Sequence, residues 1–156
     1  MSRCILIGLF FGLLLASCAP LTPVARQELL ATPTAAPLGD WSLRMTQTGG
    51  IMGLRRSVEI SSDGTMTVTD ERTKKTVTAQ LGDDDLARLK NLLSTMVYTD
   101  LKSPAVCADC FVYALSVDRG SGKPWTVTLD DMSLDSSGLS DLIGLVRGLM
   151  DKALQP

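Results

Sequence analysis

The chain contains no histidine in 156 residues. That absence removes the Ser-His-Asp and Cys-His modes of nucleophilic catalysis, the commonest zinc ligand and the commonest general base. Aromatic residues are scarce at 4 %. Charge of one sign is also lacking: 15 Lys and Arg stand against 17 Asp and Glu, a formal net charge of −2. So mild an imbalance argues against nucleic acid and against a polybasic membrane patch as partners. No apolar run after the first twenty residues is long enough to span a bilayer. Only four cysteines are present, at positions 4, 18, 107 and 110. What remains open is a binding protein, a structural protein, or an enzyme that works through carboxylates or lysine.

The N-terminus supplies the first positive signal. Arg3 is followed by an uncharged apolar run from Cys4 to Ala16 and then by Leu15-Ala16-Ser17-Cys18. The run fits the roughly 7–15 residues of a secretory core rather than the ~20 of a spanning helix. The ending Leu15 to Cys18 resembles a bacterial lipobox. It implies cleavage before Cys18, acylation of the Cys18 thiol, and a domain held outside the cytoplasm on a membrane surface of the cell envelope. Two or more acyl chains anchor stably because each buried methylene contributes roughly 0.8 kcal/mol. The expected plan is a signal over 1–17, a tether over 18–40 and one domain over 41–156. Pro20, Pro23, Pro33 and Pro37 with intervening Ala and Thr make the tether read as extended spacer. A mature chain of about 140 residues suffices for one domain with its own core.

From Trp41 onward the pattern alternates with period two. Strands are expected over Trp41–Thr46, from near Leu54 to Ser61, over Thr65–Thr69 and over Thr76–Leu81. Asp63-Gly64 marks a tight hairpin turn. The period then lengthens: Leu86, Leu89, Leu92, Leu93 and Met96 make a helical stripe, with Asp83, Asp84 and Asp85 expected to cap its start. Phe111–Val117 and Trp125–Leu129 read as a second hairpin. An acidic loop over Asp130–Ser137 precedes a final helix from about Ser137 to Ala153. Gly144 and Gly148 weaken that helix and are expected to let it approach the sheet closely. Tight turns imply a mainly antiparallel sheet of about six strands with two amphipathic helices packed on one face, an α+β fold.

Three groups are candidates for function. Cys107 and Cys110 remain once Cys4 leaves with the signal and Cys18 is acylated. In an exported chain a structural disulfide between them is expected. A redox dithiol would ordinarily open a helix, whereas a strand follows here. Zinc would need two further ligands, and neither histidine nor another cysteine is available. The second group is the bend Thr48, Gly49, Gly50, Ile51, Met52 and Gly53. It is no dinucleotide loop, because a strand rather than a helix follows its glycines. It reads either as a wide β-turn or as a protruding loop whose apolar tip docks into a partner. The third group is acidic. Asp83–Asp85 are three adjacent side chains that diverge on one turn, and Asp130, Asp131 and Asp135 with Asp141 match no calcium-loop spacing; both groups suit helix starts. No metal, cofactor or catalytic residue is expected.

The bend Thr48–Gly53 after a first strand is similar to the opening of the emfourin family, small protein inhibitors of thermolysin-like metalloproteases. The run Asp109 to Val117, the segment Trp125-Thr126-Val127 followed by Asp130, and the closing leucine-rich helix resemble later blocks of that family. The likeness spans Trp41 to Leu154. Its motifs are short, and the lipobox, the cysteine pair and the long Ser61–Thr76 hairpin depart from the pattern. The resemblance implies an α+β inhibitor that acts by occluding a secreted metalloprotease's cleft, with Thr48–Gly53 as the contact loop. The other readings are a structural or ligand-binding envelope lipoprotein and a carboxylate enzyme. The anchor itself is directly testable. Labelled acyl chains should enter the wild type and not Cys18→Ala, and equal incorporation would reject lipidation.

Overall fold

A computed structural model describes residues 38–99, 107 and 109–155. All belong to one unit of the chain, Thr34–Pro156. The expected signal, Cys18 and the expected tether up to residue 37 lie outside the described residues. Among the described residues no helix is long and apolar enough to cross a membrane.

The fold is α+β. Strands β1 (Ser42–Gly49), β2 (Leu54–Ser61), β3 (Thr65–Asp70) and β4 (Lys75–Gln80) form a meander, followed by helix α1 (Asp83–Thr95). A hairpin of β5 (Phe111–Asp118) and β6 (Trp125–Asp130) comes next, then a short helix α2 (Asp131–Leu134), a 3₁₀ turn (Asp135–Ser137) and helix α3 (Ser140–Leu154). The six strands lie in the order β4-β3-β2-β1-β5-β6. Every neighbouring pair is antiparallel. The first strand is therefore in the middle of the sheet, hydrogen-bonded to β2 on one side and β5 on the other.

Alternation explains which strand residues form the core. Leu43 and Met45 of β1, Val58 and Ile60 of β2, Met66 and Val68 of β3, and Leu115 and Val117 of β5 are buried. Their neighbours in sequence are charged, hydroxylated or small, as expected where one sheet face is packed and the other is wetted. On those positions Thr67 faces Thr78 and Thr69 faces Thr76, each pair with hydroxyls 3.2 Å apart. Helix α1 adds Leu89 and Leu93 to the core, and α3 adds Leu142, Ile143, Val146, Leu149 and Met150. Fully burying each such side chain contributes about 1.5–3 kcal/mol. Helix α3 touches α1, β3 and β4. Its C-terminus is tied to edge strand β4 by Lys75, whose Nζ donates to the Leu154 carbonyl at 3.0 Å. Where α1 ends, the Tyr98 hydroxyl donates to the Leu93 carbonyl at 2.8 Å, and the Tyr98 ring meets Trp125 edge-on.

Three expectations need correction. Asp130–Ser137 is not a loop. Asp130 caps α2, accepting from the Ser133 N–H at 2.9 Å while its own N–H donates to the Ser133 hydroxyl at 3.0 Å. This reciprocal cap stabilises a helix too short to show a periodic pattern, and α3 starts at Ser140 instead. Asp83, Asp84 and Asp85 occupy the first turn of α1, but Gly82 is the N-cap and no side chain caps it. The three carboxylates act there through the helix dipole alone. Gly144 and Gly148 are exposed, and a Cβ at either would meet nothing within 4 Å. They face away from the packed surface and serve no close approach. Gly144→Ala and Gly148→Ala should each raise the unfolding free energy, by up to about 1 kcal/mol. Urea denaturation of the two variants measures this.

Candidate functional site

One end of the sheet gathers most of the unusual chemistry. The β1–β2 connection turns there through glycines in left-handed conformations, Gly49 (φ 103°), Gly50 (φ 69°) and Gly53 (φ 59°). Two of them are also sterically required. A Cβ on Gly49 would run into the Cys110 carbonyl, and one on Gly50 would come within 2.7 Å of the Phe111 ring. The Gly53 N–H donates to the Gly50 carbonyl at 2.9 Å, closing a β-turn. Ile51 and Met52 are its central residues, 92 % and 68 % exposed.

The turn is held from both sides. The Gly50 N–H donates to the Cys110 carbonyl at 3.2 Å. Arg72, on the β3–β4 turn, donates from Nη1 to the Met52 carbonyl at 3.1 Å. Arg55 and Glu71 add an exposed ion pair at 2.7 Å, worth at most about 1 kcal/mol. The bend Thr48–Gly53 is thus a braced turn carrying two bare apolar side chains.

Beneath it lies a shallow cavity of about 330 Å³, lined by Gln47, Ile51, Met52, Leu54, Phe111 and the polar residues Arg56, Arg147 and Asp151 among others. Arg56 is engaged: Nη1 donates to Asp151 Oδ1 at 2.8 Å, and Nε faces Asp70 Oδ2 at 3.5 Å in an ion pair without a hydrogen bond. Arg147 makes no ion pair among the described residues. Its guanidinium lies 5.9 Å from the centre of the Phe111 ring and 5.5 Å from that of Tyr113, within cation–π range. Tyr113 is fully buried and donates to Asp131 Oδ1 at 2.9 Å, and Asp131 Oδ2 accepts from the Phe111 N–H at 2.8 Å. Burial first, and the bond to Asp131 second, push the Tyr113 hydroxyl up to about 12 against the pull of Arg147.

Cys107 and Cys110 form a disulfide with Cα atoms 5.4 Å apart. The structure places Asp130 beside it, so that the two sulfurs and a carboxylate oxygen lie within 4.8 Å of one another. Ser133, through its hydroxyl and then its N–H, lowers the Asp130 pKa, with a smaller contribution from the Cys107 N–H. Among the described residues this is the one converging group of three cysteine or acidic side chains. Asp131, Asp135 and Asp141 do not join Asp130 in another, and Asp83–Asp85 form none.

Sequence reasoning singled out the bend and the cysteine pair, read Asp130 and Asp131 only as acids of a helix start, and missed the contacts of Arg147 with Phe111 and Tyr113 and the approach of Asp130 to the cysteines. An Asp-x-x-Ser spacing at 130–133 was the available signal for a cap. Arg147, a lone cation in an otherwise apolar helix segment, was the signal for the cavity. No protein-family model matches the chain, and no curated protein matches it. The resemblance to emfourins rests on the sequence motifs alone.

Asp70 gives this end of the sheet an acid sensitivity. Its burial acts to raise its pKa, but N–H donation from Thr73 and Arg72 and the charge of Arg56 outweigh this, leaving it below 3.8. A carboxyl lowered by folding contributes stability that is present above its unfolded pKa and is lost as pH falls through the folded value. Between about pH 6 and about pH 3 the denaturation midpoint of Asp70→Asn should fall less than that of the wild type. Parallel midpoint shifts in the two proteins would refute that assignment.

Proposed function

We propose that the chain is a lipid-anchored protein of the cell envelope whose domain binds a secreted metalloprotease and occludes its cleft through the Thr48–Gly53 turn. The supporting observation is the exposure of Ile51 and Met52 on a turn fixed by the Cys110 carbonyl and Arg72. Two adjacent large apolar side chains on a rigid projection are costly to leave in water, and a braced turn loses little entropy when it docks. Burying each would contribute about 1.5–3 kcal/mol. In this reading α1 and α3 are two amphipathic covers packed on one face of the sheet. They stiffen the scaffold from which the turn projects. The domain acts by contact and is not an enzyme.

A second reading draws on the cavity beside the turn. Arg147, unpaired with any carboxylate among the described residues, faces a partly apolar hollow of about 330 Å³, which suits a small anionic ligand of an envelope binding protein. Inhibition distinguishes the two. Added to a thermolysin-like protease at micromolar concentration, the chain should reduce turnover. Ile51→Asp should weaken inhibition at least tenfold, equivalent to about 1.4 kcal/mol, with the fold unchanged by circular dichroism. Undiminished turnover with the wild type would reject the inhibitor and leave the ligand-binding reading.

A further inference from the structure

We infer that Cys107, Cys110 and Asp130, once the disulfide is reduced, bind one thiophilic divalent metal ion such as Zn²⁺. The pair alone supplies two thiolates at the Cys-x-x-Cys spacing that grips such ions. The fold brings a third donor from the neighbouring strand β6. Asp130 ends β6 opposite Val112 of β5, close to where the chain leaves Cys110. The three ligand atoms already lie within 4.8 Å of one another. Zinc bonds of roughly 2.0–2.3 Å to oxygen and sulfur place neighbouring ligand atoms about 3.3–3.8 Å apart. Closing the site therefore takes movements of about an ångström by side chains outside the β-ladder's own hydrogen bonds.

Asp130 carries an independent sign of a missing partner. It is only 1 % exposed. Its Oδ1 is committed to Ser133, accepting from the backbone N–H at 2.9 Å and the hydroxyl at 2.8 Å. Its Oδ2 is buried and, among the described residues, makes no hydrogen bond of good geometry, although the Cys107 N–H stabilises the charged carboxylate. Leaving a carboxylate oxygen so placed without a donor is costly, and a bound cation is one way of meeting the demand. Oδ1 meanwhile holds the carboxylate in position through the α2 cap, as outer partners of metal ligands commonly do.

The chemistry balances with an external reductant. A dithiol gives two electrons and two protons to the Cys107–Cys110 bond, leaving two thiols, and is itself oxidised to a disulfide. Metal capture then forms two metal–sulfur bonds and one metal–oxygen bond and releases the two thiol protons. Water completes the fourth position. The oxidised protein, with both sulfurs bonded to each other, offers no thiolate and binds no such ion.

Cobalt(II) makes the site visible, because sulfur-to-cobalt charge transfer absorbs in the near ultraviolet. The full-length chain, reduced anaerobically and freed of excess reductant, should develop that band and saturate at one equivalent of Co²⁺, and Zn²⁺ should bleach it. The oxidised protein and the Cys107→Ser, Cys110→Ser double variant should show none. Asp130→Asn retains a good helix N-cap but loses the charge, and should bind Co²⁺ at least tenfold more weakly, in the range expected when a metal site loses a supporting group. Asp135→Asn should bind as the wild type does. Absence of the band in the reduced wild type would overturn the assignment. So would equal affinity in Asp130→Asn, which would mean that a bare dithiol suffices.

Discussion

Everything at the disulfide end of this domain depends on the double pairing of β1. The strand is bonded along its full length to β2 and to β5, with Gly49 opposite both Leu54 and Phe111. That register fixes the distance between the glycine turn and the start of β5. Cys110 therefore stands next to Gly50, so its carbonyl receives the Gly50 N–H and its side chain reaches Cys107. A one-residue slip would turn Leu43 and Met45 out of the core and pull the turn away from the disulfide. The hydrophobic pattern of one strand thus enforces the assembly of a surface site to which that strand contributes only its last three residues, Gln47 to Gly49.

The individual elements were largely legible because each rests on local physics. Period-two alternation with β-branched residues marked the strands, and the Leu86–Met96 stripe marked α1. The sheet order was not legible. Adjacent hairpins are local, but the pairing of β1 with β5 is chosen by which apolar faces complete a core across some sixty intervening residues, a choice absent from any single window. Asp130 was hidden from the cysteines because the register of the β5–β6 hairpin, which sets Asp130 opposite Val112, brings them together. The short α2 failed for another reason: a capping box of two side chains, Asp130 and Ser133, substitutes for periodicity. Gly144 and Gly148 were misassigned because a glycine in a helix is equally compatible with tight packing and with simple exposure. Only the space around it decides.

Two devices share this end of the molecule, and both pass through Cys110. Its backbone carbonyl steadies the apolar turn, and its sulfur closes the small disulfide loop beside Asp130. The bracing of the turn uses main-chain atoms and Arg72, so it does not require the sulfur–sulfur bond itself. Phe111 and Tyr113 of β5, held by Arg147 of α3 and Asp131 of α2, lie at the same end of the sheet and give the turn an aromatic support. Rigid support for a small exposed contact is the common theme.

The central position of β1 also governs how the chain must be made. Synthesis delivers β1 to β4 first, and that meander can close by local hairpins as it leaves the ribosome. Its inner flank then stays bare until β5 has been translated, so the nascent chain carries an unpaired row of N–H and C=O groups along β1. An edge of that kind is a template for foreign strands. The interval between α1 and β5 is therefore the dangerous period of biogenesis, when a holding chaperone has most to protect.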